Sequence, residues 1–380
     1  MDFEFTDDQR MIRDAVRNYS RAELAPRAAQ VDRQGRFPIE RVRELSELGF
    51  VGMTVPEEYG GTLAGALALS LSLTEIAAGD ASVAVIMSVS NMVAEAIWRL
   101  GTEAQRRRFI PMICHGEYPV GGFALTEAQA GSDATNLRTR AVRDGGHFVL
   151  NGTKTFITSA AFASVYIVMA RASDEPGSRG ITALLVERGA PGMSVGKEEK
   201  KMGLNGSQTC ELSFEDCRVP AENVLSGEGQ GFRVAMTALD GGRIGVASQA
   251  IGIASAAMAV AVDYAKQRVA FGKPISELQA IQWKFADMAT QLDAARLLVW
   301  RAAWRKDNKL PFTREASMAK LYAAEAANRA CKEAVQILGG YGYCADYPVE
   351  RHFRDARVTT IYEGTSEIQR IVIARHVLGE

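Results

Sequence analysis

The sequence predicts a mainly α-helical protein with a central β domain. Helices run to residue 117, a β barrel or sandwich covers 118–228, and a helical bundle covers 229–380. Three observations carry this. Helical periodicity gives way near Tyr118 to short β-prone runs cut by Gly, Asn and Asp. Helical texture returns after Gly231 in longer units. Within those, Leu278, Ile281, Phe285, Met288, Leu292, Ala295 and Val299 step by three and four residues, the stripe of a bundle helix.

In the first part, the apolar spacing predicts helices over Met11–Val31, Ile39–Leu48, Ala64–Ala78, Ser82–Leu100 and Thr102–His115. Gly79–Asp80 and Gly101 separate the later ones. Strands are predicted over Val120–Leu125, Leu137–Val142, Phe148–Leu150, Thr153–Thr158, Val165–Ala170, Ile181–Val186 and Thr209–Phe214, with turns at Asp144-Gly145-Gly146 and Asn151-Gly152. Closely spaced short strands favour a barrel or sandwich. In the last part, Ala-rich Phe312–Leu338 predicts a tightly packed helix. The chain has no internal repeat and no low-complexity segment.

Composition narrows the function. With 380 residues, 47% hydrophobic and 23% charged, the chain can build a large core over two or three domains. A net charge of −1 gives no reason to invoke nucleic acid or an anionic membrane. The most apolar stretch, Ile244–Val262, is rich in Ala, Gly and Ser and contains Gln249, so it reads as a close-packed bundle helix and not as a membrane span. The acidic, amphipathic start does not read as a signal or transit peptide. A cytoplasmic protein is expected, with a mature mitochondrial-matrix form as the alternative. Five scattered Cys without C-x-x-C point to a reducing compartment and no metal site.

Familiar catalytic signatures fail. Gly227-Glu228-Gly229-Gln230-Gly231 approaches a dinucleotide fingerprint, but Phe232 follows and no β–α alternation surrounds it. There is no P-loop, H-E-x-x-H or G-x-S-x-G, and the four His do not pair at metal spacing. What remains is a set of polar, Gly-rich segments. The most informative is Ile361–Arg370, IYEGTSEIQR. It places Glu363 beside Gly364, ahead of a helix start marked by Thr365, Ser366 and Glu367. A carboxylate there suits a catalytic base, and a plain helix cap explains the segment as well. Similar segments are Phe123–Asp133, Thr155–Ser159, Leu239–Gly245, Arg268–Pro274 and Gln336–Tyr341, each with an ordinary turn, strand-end or cap explanation of its own.

In this order, over essentially the whole chain, these segments resemble the acyl-CoA dehydrogenase family. The short-chain, butyryl-CoA branch is closest, through KMGLNGSQTCELSFEDCRVP and RDARVTTIYEGTSEIQR. The resemblance implies a C-terminal four-helix bundle, a homotetramer and an FAD enzyme. It would oxidise a short-chain acyl-CoA to the trans-2-enoyl-CoA and pass electrons to electron-transfer flavoprotein. Glu363 matches the base that removes the α-proton while the β-hydrogen leaves as hydride to flavin N5. An ordinary Glu, with a pKa of about 4.3, is too weak a base for a carbon acid, so burial must raise it. The family holds the thioester oxygen with the base residue's N–H and a flavin ribityl hydroxyl.

The other positions carried over by resemblance are as follows. Phe123, Leu125, Thr126 and Ser132 match the flavin loop, Ser132 also lying near the pantetheine. Phe156, Ile157 and Thr158 match the strand beside the flavin ring. Arg268 and Gln279 match contacts to the diphosphate and adenosine half, and Phe271 to adenine. Gln336, Leu338, Gly339 and Gly340 match a run that closes on FAD from a neighbouring subunit, and Thr365 and Glu367 flank the cofactor. Asp240 and Arg243 match CoA contacts, while Tyr362 and Gly364 line the acyl pocket. No metal is implied. There are departures: Phe156 stands where the family usually has Trp, and Ala128 where it has Pro. Gly242 occupies the position that supplies the base in the isovaleryl and long-chain branches, which argues for the short- and medium-chain arrangement. The alternatives are a medium- or branched-chain substrate, an oxidase-like enzyme and, outside catalysis, a helical binding protein.

Overall fold

The computed structural model describes residues 4–379; residues 1–3 and 380, inside the expected domain limits, lie outside the described residues. α1, Asp7–Tyr19, starts at a Thr6–Gln9 capping box. The helix predicted over Met11–Val31 forms, with one π turn inserted into it. A π turn, Ser20–Leu24, separates α1 from α2, Ala25–Gln34. The Ser20 hydroxyl donates there to the Glu75 carbonyl at 2.7 Å, and Gly79 faces it so closely that a β-carbon would stand 2.3 Å from Ser20 Oγ. Helices α3 (Ile39–Glu47), α4 (Ala66–Gly79), α5 (Ala81–Leu100) and α6 (Glu103–His115) follow the predicted spans closely. Asp80 caps α5 by accepting from the Ser82 and Val83 amides.

The middle of the chain forms β1 (Gly121–Ala124), β2 (Arg140–Asp144), β3 (His147–Thr158), β4 (Val165–Arg171), β5 (Ile181–Glu187), β6 (Met193–Glu198), β7 (Thr209–Pro220) and β8 (Val224–Leu225). They make one eight-stranded sheet in the order β6-β7-β3-β2-β4-β5-β8, with β1 parallel to β4 off this path. The two predicted strands Phe148–Leu150 and Thr153–Thr158 are a single strand. Asn151-Gly152 is not a turn but a register shift in the β3–β7 ladder, where a Gly152 β-carbon would stand 2.7 Å from Thr139 Cα. Strand β6 went unpredicted because all its residues but Met193 are exposed and no apolar alternation marks it.

After α7 (Gly231–Gln267) comes a small hairpin, β9 (Val269–Ala270) and β10 (Lys273–Pro274), then α8 (Gln279–Asp307), α9 (Thr313–Leu338), α10 (Val349–Arg357) and α11 (Ser366–Leu378). Small residues set the spacing. α7 buries Ala247, Ala250, Ala254, Ala257 and Ala261 while α9 buries Ala316, Ala319, Ala323 and Ala327, and Gly252 lets α7 approach the Thr74 carbonyl of α4. Met288, Leu292, Ala295 and Val299 of the predicted stripe are buried, with Ile281 and Phe285 packed at its edge. α5 and α7 are long and apolar enough to cross a membrane, but 94% and 72% of their most apolar windows are buried inside the protein.

Candidate active site

The site is built around the turn that precedes α11. Thr365 is the N-cap, its hydroxyl accepting from the Ile368 amide at 3.3 Å. The two residues before it are left-handed: Glu363 has φ +52° and Gly364 φ +89°. For Gly364 this costs nothing; for Glu363 it is strained and must be held. Gln369, buried on α11, holds it by donating from Nε2 to the carbonyls of Glu363 (3.2 Å) and Gly364 (2.9 Å). Lys320 Nζ on α9 donates to the same Gly364 carbonyl at 2.7 Å.

This turn aims the carboxylate at α7. Glu363 Oε2 is buried and has no hydrogen-bond partner, and it sits against Gly242, where a β-carbon would stand 2.1 Å away. Beside it Arg243, only 4% exposed, donates from Nη1 to Asp240 Oδ1 at 2.7 Å and to Ser317 Oγ at 3.3 Å. Asp240 Oδ2 accepts from Thr313 Oγ1. Burial pushes the Glu363 pKa up to about 7, with Lys320 and then Arg243 pulling it down. The residue is partly open to the cavity it faces, so the shift belongs most fully to a cavity closed by its ligands.

The cavity measures about 470 Å³ and lies between the sheet and the bundle. Val89 and Met92 of α5, Met236 and Leu239 of α7, and Ile368 and Ile371 of α11 give it apolar walls. The sheet side supplies Phe123, Leu125, Thr126, Ser132, Phe156 and Thr158. Phe156 reaches it through a second bulge. The β3–β7 register skips between Lys154 and Ile157, Phe156 takes φ +58°, and its ring is left 64% exposed on the cavity side. Two residues earlier on β3 is a buried ion pair: Lys154 Nζ donates to Glu127 Oε1 at 2.7 Å and to the Leu125 carbonyl at 3.1 Å. Glu127 also accepts from the Arg138 and Thr139 amides. Those bonds fix the loop after β1.

Ten of the residues expected at the site therefore surround one cavity: Phe123, Leu125, Thr126, Ser132, Phe156, Thr158, Arg243, Tyr362, Glu363 and Gly364. Asp240 touches it through Arg243. Ile157 turns its side chain into the core. Thr365 and Glu367 open α11, Glu367 facing solvent. The rest lie elsewhere. Arg268, Phe271 and Gln279 sit on or beside the β9–β10 hairpin, with Phe271 at its tip 92% exposed. Gln336, Leu338, Gly339 and Gly340 end α9, where Leu338 is buried and the other three are exposed. Leu338 is about 27 Å along α9 from Lys320, so this group cannot reach the cavity of its own chain.

Sequence reading missed Lys320, Gln369, Lys154 and Glu127 as parts of the site. Lys320 did leave a signal, a lone cation on a face otherwise made of Ala316, Ala319, Ala323 and Ala327. Lys154 and Glu127 left none, because nothing local says that their side chains turn inward and meet.

Comparison with known proteins agrees with this geometry. Models of the acyl-CoA dehydrogenase N-terminal, middle and C-terminal domains match residues 6–117, 122–217 and 229–378. The chain is 50% identical to the mitochondrial short-chain specific acyl-CoA dehydrogenase of Bos taurus, covering 99% of this chain and 91% of that protein. It is 47% identical to an acryloyl-CoA reductase (NADH) of Anaerotignum propionicum, over 100% and 96%. Among solved structures, butyryl-CoA dehydrogenase from Megasphaera elsdenii superposes with a TM-score of 0.97 at 46% identity, each chain fully covered. A chain from a study of the electron transferring flavoprotein of Acidaminococcus fermentans gives 0.98 at 44%, also fully covered. A glutaryl-CoA dehydrogenase from Mycobacterium smegmatis, solved in complex with FADH2, gives 0.93 at 31%, over 99% of this chain and 96% of that one. The chain belongs to the acyl-CoA dehydrogenase family.

Proposed function

We propose that the protein is an FAD-dependent dehydrogenase that converts a short-chain acyl-CoA to its trans-2-enoyl-CoA, with Glu363 as the base. The observation that carries this is the Glu363 carboxylate, unpartnered at Oε2 in an apolar-walled cavity with a pKa raised to about 7. A group poised near working pH suits abstraction of a weakly acidic proton. The N–H of Glu363 is taken up by no other group among the described residues, so it is free to meet the thioester oxygen and stabilise the enolate that forms.

The residues fit a flavin. The exposed Phe156 ring offers a flat apolar face, and Leu125, Thr126 and Thr158 border it. FAD, when bound, supplies the acceptor for the β-hydrogen at its N5. The chain's own residues orient and exclude water: Phe123, Leu125 and Thr126 from the β1 loop, Ser132 towards the pantetheine, and Ile157 by seating the Phe156 bulge in the core. Asp240 and Arg243 are assigned to CoA contacts, Tyr362 and Gly364 to the acyl pocket, and Thr365 and Glu367 to the cofactor's flank. Arg268 and Gln279 are assigned to the diphosphate and adenosine half of FAD and Phe271 to its adenine, and the α9 end Gln336, Leu338, Gly339 and Gly340 to the cofactor of a neighbouring subunit in a homotetramer. The length of α9 between Lys320 and Leu338 and the exposure of the Phe271 ring support a partner at these surfaces. The division at 117/118 and 228/229 belongs to the same reading, supported by the three matched segments.

A short acyl group is favoured by the wall residue Tyr362. Its hydroxyl donates to the buried Gln249 Oε1, so this part of the cavity wall is backed by a polar pair and not by space for a longer hydrocarbon chain. Electron-transfer flavoprotein is the expected acceptor. The relative named as a reductase favours a second reading, in which the same site runs towards the saturated thioester.

Anaerobic visible spectra, titrated with acyl-CoAs of rising length, test the proposal. Flavin absorbance should bleach best with butyryl-CoA. Flavin that no acyl-CoA bleaches would overturn the substrate assignment. Reoxidation of the reduced protein by crotonyl-CoA faster than by electron-transfer flavoprotein would favour the reductase direction.

A further inference from the structure

Lys320 has no ordinary reason to be where it is. Its side chain is fully buried, on a face of α9 whose neighbours Ala316, Ala319 and Ala323 are fully buried too. Burying an ammonium group in such a place is expensive unless something specific is gained. Only one of its three N–H donors is taken up by a hydrogen bond among the described residues, and the acceptor is the Gly364 carbonyl at 2.7 Å. That carbonyl belongs to the peptide following Glu363. The charged groups that face the ammonium are Glu363, Arg243 on α7, Glu325 on its own helix and Glu367 at the start of α11. Glu325 is occupied by Ser366 Oγ, which donates to Oε1 at 2.8 Å.

We propose that Lys320 is a positioning residue for the base: its ammonium group holds the strained Glu363–Gly364 turn in place and sets a positive charge beside the carboxylate at neutral pH. This rests on Glu363 acting as the base. The two duties are separable in principle. The hydrogen bond to the Gly364 carbonyl works with Gln369 to keep φ of Glu363 positive, which directs both the carboxylate and the residue's N–H at the substrate. The charge opposes the burial that pushes the carboxyl up, and so keeps a usable fraction ionised at neutral pH. A neutral side chain of the same length would pack against the same alanines and provide neither.

The test uses the holoenzyme and two substitutions, Lys320→Met and Lys320→Arg. Two quantities are read. One is the pH profile of kcat/KM. The other is independent of turnover: the difference in melting temperature between each protein and its Glu363→Gln counterpart, followed against pH, which reports where Glu363 takes up its proton. Removing the positive charge makes the carboxylate harder to ionise, so both midpoints should move up by about one pH unit in Lys320→Met. A loosened turn should lower its kcat by about 10- to 100-fold. Lys320→Arg, which keeps charge and donors, should return the midpoint to its original place. Lys320→Met with an unmoved midpoint overturns the proposal, whatever its melting temperature. Should Lys320→Met fail to fold, Lys320→Gln is also uncharged and decides by the same midpoint. Near-normal turnover in Glu363→Gln alone would instead sink the assignment of the base, and the thermal titration would still report on Lys320.

Discussion

A β-carbon on Gly242 would stand 2.1 Å from Oε2 of Glu363. The helix α7 and the turn before α11 therefore meet so closely at Gly242 that any side chain there must push the Glu363 carboxylate aside. Gly242→Ala should displace the carboxylate while leaving the helix intact, because alanine favours helix over glycine by roughly 1 kcal/mol. Turnover should fall by about 10²-fold, the scale expected of a reacting group moved by an ångström, with flavin content unchanged. A fully active Gly242→Ala would mean that the working carboxylate lies elsewhere.

As the proposed base, Glu363 must be ionised to act. With its pKa raised to about 7 by burial, against Lys320 and Arg243, kcat/KM should climb as pH rises through about 7 and level off above it. Glu363→Gln should abolish that limb and slow flavin reduction by at least about 10²–10⁴-fold. It should still bind FAD and acyl-CoA. Rapid-mixing absorbance at a series of pH values measures both effects. A flat profile between pH 5 and 9 in the native protein would contradict the raised pKa.

The same shift makes a stability prediction of definite sign. The unfolded chain releases the Glu363 proton near 4.5 and the folded protein releases it near 7. Below both values neither state is ionised and nothing is lost. Between them the folded state binds more protons, so stability falls as pH rises. Above about 7 the loss is complete and amounts to about 2 kcal/mol, allowing for partial solvent access. Glu363→Gln escapes it. Without ligand, that variant should match the native protein at pH 4 and exceed it at pH 8. Asp355, whose pKa burial also raises to about 7, is present in both proteins and cancels. Equal melting temperatures across the range would count against the shift.

The pair Lys154–Glu127 joins the loop after β1, assigned to the flavin, to β3. Burial lowers the Lys154 pKa to about 8, with Glu127 opposing. Burial also pushes Glu127 upward, but Lys154 and the amide donors outweigh it and hold the carboxyl well below its usual range. Lys154→Met leaves the carboxylate buried with only neutral donors, which should cost about 3–5 kcal/mol. Lys154→Met with Glu127→Gln should recover much of that, as removing both charges does elsewhere. Urea unfolding measures the energies. Flavin retention on gel filtration should fall in both variants, because the Leu125 carbonyl loses its anchor in each. A single variant as stable as the native protein would show that the pair is not the anchor.

How far the sequence could be read follows from which contacts are local. Thr365 was legible as a helix cap because a cap is made by adjacent residues, whereas Glu363 reads as a base only through the resemblance of the whole ordered set of segments. The α8 stripe was legible because helical spacing writes packing into the chain. Lys154 and Glu127 meet across 27 positions, and Lys320 and Gly364 across 44, so no local pattern announces either pair. Asn151-Gly152 misled for a related reason. Those two residues commonly close a hairpin, and whether they do so or bulge a strand depends on Thr139, which lies on a neighbouring segment.

Acyl length should be decided behind Tyr362. Its hydroxyl donates to Gln249 Oε1, and Gln249 Nε2 donates to the Ala81 carbonyl at 2.8 Å. Gln249 is only 1% exposed, and its bonds run from the cavity wall to the first turn of α5. A longer acyl chain must either displace these buried polar atoms or leave them unpaired, at about 1–3 kcal/mol for each group left without a partner. Butyryl-CoA avoids that cost. Gln249→Ala removes the amide and opens apolar space, though it leaves the Tyr362 hydroxyl to find another partner. Butyryl-CoA should lose activity, and each further methylene that now fits should gain on the order of 0.8 kcal/mol. kcat/KM measured with butyryl-, hexanoyl- and octanoyl-CoA should therefore tilt towards the longer substrates in Gln249→Ala. If the order of preference is the same in both proteins, the Tyr362–Gln249 pair does not set the depth of the pocket, and the limit on chain length lies with the α5 and α7 side chains instead.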